Sequence, residues 1–129
     1  MAATTATETT LYKRLGGYDT IAAFVDQWLG RALGDPPLAA YFKGMSNDTK
    51  GKARQLIVDF MSASLGGPTI YTGRNMKVLH EGLGISAGEY AALVGHAAAT
   101  LDALGVAPQA KEELLAWFAG LEGDTVERR

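Results

Sequence analysis

Two histidines, His80 and His96, carry all the imidazole chemistry this chain can offer, and no cysteine stands beside them. The lack of thiols excludes disulfides, thiolate nucleophiles and cysteine-held metal clusters. The two histidines keep different company. His96 lies in Gly95-His96-Ala97-Ala98-Ala99, inside a helical pattern that already has its own apolar stripe, which is the setting of a structural residue. His80 ends a short run bracketed by Gly73 and Gly82, with a long apolar segment before it and another after it. A closed zinc site needs about four N, S or O ligands, and near His80 only Glu81 is of that kind. Haem iron needs one neutral imidazole nitrogen arriving along a single axis, with apolar walls on both faces of the macrocycle. A ligand on a short helix between glycine-rich loops is set by those loops without bending a long helix.

The elements that must position such a ligand are helical. Ile21, Phe24, Val25, Trp28, Leu29, Ala32 and Leu33 recur at the three-and-four spacing of one helix face. Gly34-Asp35-Pro36-Pro37 ends that helix, because glycine and paired prolines break the hydrogen-bond ladder. A short apolar turn, Leu38 to Phe42, follows, and then a polar loop in which Ser46, Asn47 or Asp48 can cap the next helix. Ala53, Leu56, Ile57, Phe60, Met61 and Ser64 or Leu65 form its stripe, stopped by Gly66-Gly67-Pro68. A short helix is expected over about 75–81. Ser86 with Glu89 is a capping-box pattern for a helix reaching about Leu104, with Tyr90, Leu93, Val94, Ala97, Leu101 and Leu104 inward. Gly105 stops it. Pro108 suits a first helical turn, and Leu114, Leu115, Phe118 and Leu121 face inward on the last helix. No strand alternation and no internal repeat is evident. The fold class is all-α, and a plain helical bundle is the alternative that the chemistry must displace.

Length and charge narrow the partners. A chain of 129 residues makes one domain, and at this size roughly two-thirds of the unfolded surface is buried, enough for a core and one enclosed cofactor. With 47% apolar and 20% charged residues the composition is that of an ordinary globular protein. Net charge is −2 and no basic block exists, so no nucleic acid partner is expected. No apolar run approaches the roughly 20 residues that span a bilayer, so no membrane partner is expected either. Residues 1–10 are Ala/Thr-rich without the marks of a signal peptide and are expected to be a flexible arm of a cytoplasmic protein. Residues 11–123 form the expected domain and 124–129 a C-terminal tail.

Three runs carry a resemblance. They are Phe60-Met61-Ser62-Ala63-Ser64-Leu65-Gly66-Gly67-Pro68, Tyr71-Thr72-Gly73-Arg74-Asn75-Met76-Lys77 and His80-Glu81-Gly82-Leu83-Gly84-Ile85. Together they closely resemble the group I truncated haemoglobins, as do the opening Leu11-Tyr12-Lys13-Arg14-Leu15-Gly16-Gly17 and the pair Tyr41-Phe42. The likeness covers residues from about 10 to 122. It implies a truncated globin fold, a two-over-two helical sandwich holding haem b non-covalently, with His80 as the protein ligand to iron. It further implies that Phe42 packs on the haem, and that Met76 and Ile85 touch its proximal side. Tyr71, Arg74 and Lys77 become candidates to meet the haem propionates, since cations and a phenol pair with carboxylates at a pocket mouth. For Arg74 and Lys77 a solvated surface remains the other reading.

On the distal side the chain departs from the family pattern. Many group I members place a tyrosine on the second helix and a glutamine after the turn, and both donate hydrogen bonds to bound oxygen. Alignment through Phe42 and Gly66-Gly67 puts Leu29 and Ile57 at those places. Ala53, Phe60 and Met61 complete an apolar distal stripe, Leu56 is a further candidate to touch the haem, and core packing is the expected role of Trp28. A charge-assisted hydrogen bond is worth roughly 1.5–3 kcal/mol, so its loss predicts oxygen held more weakly by about one to two orders of magnitude. The expected function is reversible binding of a diatomic gas (oxygen, CO or NO) in the manner of an oxygen carrier. Nitric oxide dioxygenation with an external reductase, and redox or gas sensing, are the other readings. A monomer or weak dimer is expected.

Overall fold

The computed structural model describes residues 10–73 and 83–127. Helices supply all its regular elements apart from an isolated bridge at Ser86. Helix α1 covers Leu11–Leu15, α2 Tyr18–Leu33, α3 Pro36–Ala39, α4 Asn47–Ser64, α5 Ala87–Ala103 and α6 Pro108–Thr125. A single 3-10 turn, Ala40–Phe42, continues from α3.

The helix starts follow the chemistry of their caps. Thr10 Oγ1 accepts from the Lys13 N–H, so residue 10, expected at the end of a flexible arm, caps α1. Ser46 Oγ accepts from the Thr49 N–H and starts α4. Ser86 and Glu89 make the reciprocal capping box expected of α5, at 3.0 and 2.9 Å. Pro108 occupies the first turn of α6, where its missing N–H costs nothing.

Two layers result. Helix α2 lies against α4, α5 lies against α6, and α2 also crosses α5, which is the two-over-two sandwich. Ile21, Phe24 and Val25 from α2 meet Val58 and Met61 from α4, Ala97 and Leu101 from α5, and Leu114 and Phe118 from α6. Burial of each large side chain stabilises the fold by roughly 1.5–3 kcal/mol. The α2 stripe differs from expectation at its end. Ala32 is fully buried, whereas Leu33 is 42% exposed, because the next residue along a 100° helical step turns out past the last helix contact.

Tyr90 locks α5 to α6 by donating its phenol hydrogen to the Phe118 carbonyl. Burial, with the nearby Glu122 charge second, pushes that phenol up to about 12. Part of the segment expected as a tail is packed: α6 runs through the buried Thr125, and Val126 is buried beside Ile85 and Tyr90. The Glu127 N–H donates to the Ile85 carbonyl at 2.8 Å, and its carboxylate accepts from the Gly84 N–H at 2.7 Å. The buried Val126 and these two hydrogen bonds of Glu127 hold residues 126–127 against the start of α5.

The Gly66-Gly67 pair that stops α4 also receives α1. Gly66 has φ +97°, a left-handed conformation that glycine adopts without strain. At Gly67 a Cβ would lie 2.6 Å from the Tyr12 ring and 2.8 Å from the Ser62 carbonyl, so the ring needs the bare backbone. The Tyr12 N–H then donates to the Leu65 carbonyl at 2.9 Å. No helix among the described residues is long and apolar enough to cross a membrane.

Candidate functional site

Helix α4 provides the site's main wall. Ala53, Leu56, Ile57 and Phe60 fall at helical spacing on one side of α4, and all four are half-buried, whereas Val58 and Met61 point into the closed core. Ile57 and Leu29 of α2 both pack against that core from its edge. An apolar face of this length, left partly accessible by its own fold, is the surface that a flat macrocycle requires. Tyr71 comes up to it after the α4 stop: its ring meets Phe60 edge-on, with centroids 5.1 Å apart. Burial raises the Tyr71 phenol above its ordinary value, so it stays protonated and can give a hydrogen bond. Phe42 is half-buried at the end of the 3-10 turn.

The polar groups around this face are committed elsewhere. Trp28 donates its indole N–H to the Leu93 carbonyl of α5 at 3.0 Å. Arg54 forms a two-pronged pair with Asp26 of α2, at 2.8 and 3.0 Å, and that pairing raises its already high pKa. Gln55 donates to the Tyr18 oxygen at 2.6 Å and to Asp59 at 3.0 Å. Tyr41 donates to Glu89 at 2.6 Å. Arg54 and Gln55 thus tie α4 to α2 along the outside.

Ile85 sits apart from the α4 face, 5% exposed, in the smaller cluster with Tyr90 and Val126; Val94 touches both clusters and bridges them. His96 lies on α5 with Nε2 2.9 Å from Asp35 Oδ2 in the α2–α3 loop, a structural tie as its sequence setting suggests. His80, Arg74, Met76 and Lys77 lie outside the described residues. Among the described residues no group of three or more His, Cys, Asp or Glu could hold a metal directly.

One candidate was not foreseen. Lys50 is half-buried one turn before Ala53, while Lys52 is exposed, so a cation stands at the N-terminal end of the apolar face. Its signal was the spacing 50, 53, 57, 60, which prolongs the stripe by one polar member. Trp117, also unforeseen, backs Phe60 from α6 with centroids 5.7 Å apart. The spacing 114, 117, 118, 121 holds that clue.

Comparison with known proteins agrees with this geometry. The family model described as bacterial-like globin matches residues 10–127. The group 1 truncated hemoglobin GlbN of Mycolicibacterium paratuberculosis is 38% identical over 112 residues, covering 86% of this chain and 79% of that protein. The crystal structure of truncated hemoglobin from Tetrahymena pyriformis in its Fe(III) form superposes with a TM-score of 0.84 at 28% identity, over 92% of this chain and 99% of that one. The 2/2 hemoglobin of Synechococcus sp. PCC 7002, a cyanomet structure with covalently attached heme, gives 0.82 at 25% identity, over 92% and 99%. An apolar helix face built for a macrocycle, on a two-over-two sandwich, with these relatives, places the chain in the bacterial-like globin family as a group I truncated globin, a haem-binding protein.

Proposed function

We propose that this globin holds haem b without a covalent bond, with His80 as its protein ligand, and binds a diatomic gas reversibly in an apolar distal pocket. When bound, the haem supplies an iron atom able to take up oxygen, CO or NO. Ala53, Ile57, Phe60 and Leu29 line one side of the ring without a donor for bound oxygen, so oxygen is released fast and the iron oxidises easily to the ferric state. Leu56 extends that wall. Phe42 packs at the ring edge, and Met76 and Ile85 serve the opposite side. Lys50, Tyr71, Arg74 and Lys77 are the groups suited to the propionates, since cations and a phenol pair with carboxylates. A cytoplasmic monomer or weak dimer, served by an outside reductase, completes the reading.

One observation carries it. Trp28, Arg54 and Gln55, three side chains that could have donated to a polar guest, are held by Leu93, by Asp26, and by Tyr18 with Asp59. With those three engaged and hydrocarbon at Leu29 and Ile57, the distal wall favours the less polar gases and releases oxygen readily. The test is spectroscopic. Purified protein supplied with haem should show a Soret band that His80→Gly abolishes or shifts, and added imidazole should restore it. A colourless protein, or a spectrum indifferent to His80→Gly, overturns the proposal.

A further inference from the structure

The six described ring contacts form one connected network. Tyr71 meets Phe60 at 5.1 Å and Phe60 meets Trp117 at 5.7 Å. Trp117 then meets Phe118 at 5.0 Å, and Phe118 meets Trp28 at 5.2 Å. Both tryptophans of the chain belong to this network. One end lies on the proposed haem wall. Trp117 is half-buried on α6.

These side chains differ in how readily they give up one electron. A thiol would compete, but the chain has none. Indole and phenol are next, and the benzene ring of phenylalanine is much harder to oxidise. Phe60 is therefore a bridge, with an oxidisable ring on either side of it. The Tyr71 phenol is kept protonated by burial, and its oxidation must shed that proton. Indole can lose an electron before losing its proton, so an oxidising equivalent can settle on Trp117 without a proton acceptor beside it. Trp28 has its N–H engaged by the Leu93 carbonyl. Trp117, half-buried and next to Phe60, is the station left to meet an outside molecule.

We propose that Tyr71, Phe60 and Trp117 form a relay carrying oxidising equivalents from the haem pocket to Trp117, where small phenols are oxidised at the expense of hydrogen peroxide. This rests on the haem reading above. The balance is simple: peroxide accepts two electrons and two protons, its O–O bond breaks, and two waters form. Two phenol molecules supply those electrons and protons and leave as two phenoxyl radicals. Each electron passes through Trp117, which is oxidised from the pocket side and refilled from the phenol side. Tyr71 and Trp117 end each cycle unchanged.

The experiment treats haem-loaded protein with hydrogen peroxide and a nitroso spin trap, and maps the adducts by peptide mass spectrometry. Guaiacol oxidation per haem is followed in parallel, and a Soret spectrum is recorded for every sample. The wild type should carry its adduct on Trp117. Trp117→Phe keeps an aromatic ring against Phe60 and should lower guaiacol oxidation about tenfold. Phe60→Leu should move the adduct from Trp117 to Tyr71, a displacement that a merely structural role would not produce. Wild-type guaiacol oxidation in Trp117→Phe, or adducts unaffected by Phe60→Leu, with the Soret band intact, overturns the relay alone. No Soret band in the wild type overturns the haem reading and the relay with it.

Discussion

Leu29 is a half-buried hydrocarbon on α2, and the indole beside it, Trp28, gives its hydrogen to a carbonyl on α5. Replacing Leu29 with tyrosine puts a phenol where the family pattern has one. Oxygen carries partial negative charge when bound, so a new charge-assisted hydrogen bond of roughly 1.5–3 kcal/mol becomes available to it. Oxygen dissociation in Leu29→Tyr should slow by about ten- to a hundredfold, while CO dissociation changes much less. Stopped-flow displacement of oxygen by CO measures both rates. Equal slowing of the two gases would mean that bulk, not the donor, is responsible. The apolar character of positions 29 and 57 was legible in the sequence, because a side chain's hydrogen-bonding capacity is fixed by its type. The engagement of Trp28, Arg54 and Gln55 was not. Trp28 and Leu93 are 65 residues apart, and Arg54 and Asp26 are 28 apart, so the fold alone brings them together.

Between elements, the α5–α6 contact depends on pH through Tyr90. Tyr90 is buried, and its phenol ionises only at about 12 in the fold against 10.0 for the free group. A folded-state value above the unfolded one means that the protonated form is favoured by folding. Stability from this group is therefore complete below about pH 10 and lost as pH rises through 12, with a total of about 2–3 kcal/mol. Tyr90→Phe removes the hydrogen bond to Phe118, costing about 0.5–1.5 kcal/mol at neutral pH. It also removes the alkaline loss. Urea midpoints should put the wild type ahead near pH 8 and Tyr90→Phe ahead near pH 11.5. A gap of constant size across that range would place the titration elsewhere. The start of α5 was legible because Ser86 and Glu89 are only three residues apart. The packed end of α6 was not, since Val126 and Glu127 find their partners at Gly84 and Ile85, some forty positions back.

At the scale of the whole molecule, stability and function are coupled through the same apolar face. Ala53, Ile57 and Phe60 are half-buried by protein alone, so a ring that covers them adds apolar burial to the folded state only. At a hundredfold excess over its dissociation constant, one bound haem stabilises the fold by about 2.7 kcal/mol. For a domain between the usual size classes that corresponds to a rise in Tm of about ten degrees. Two contributions are mixed in that rise, the covered face and the bond to His80, and they separate experimentally. Iron-free protoporphyrin IX covers the face and makes no bond to imidazole. It should raise Tm by a part of the haem increment, and that part should persist in His80→Gly. Haem should lose most of its additional increment in the same variant. Scanning calorimetry of four samples, two proteins with two ligands, decides the matter. If protoporphyrin leaves Tm unmoved, the α4 face is not the macrocycle's seat; if haem stabilises both proteins equally, His80 is not its ligand.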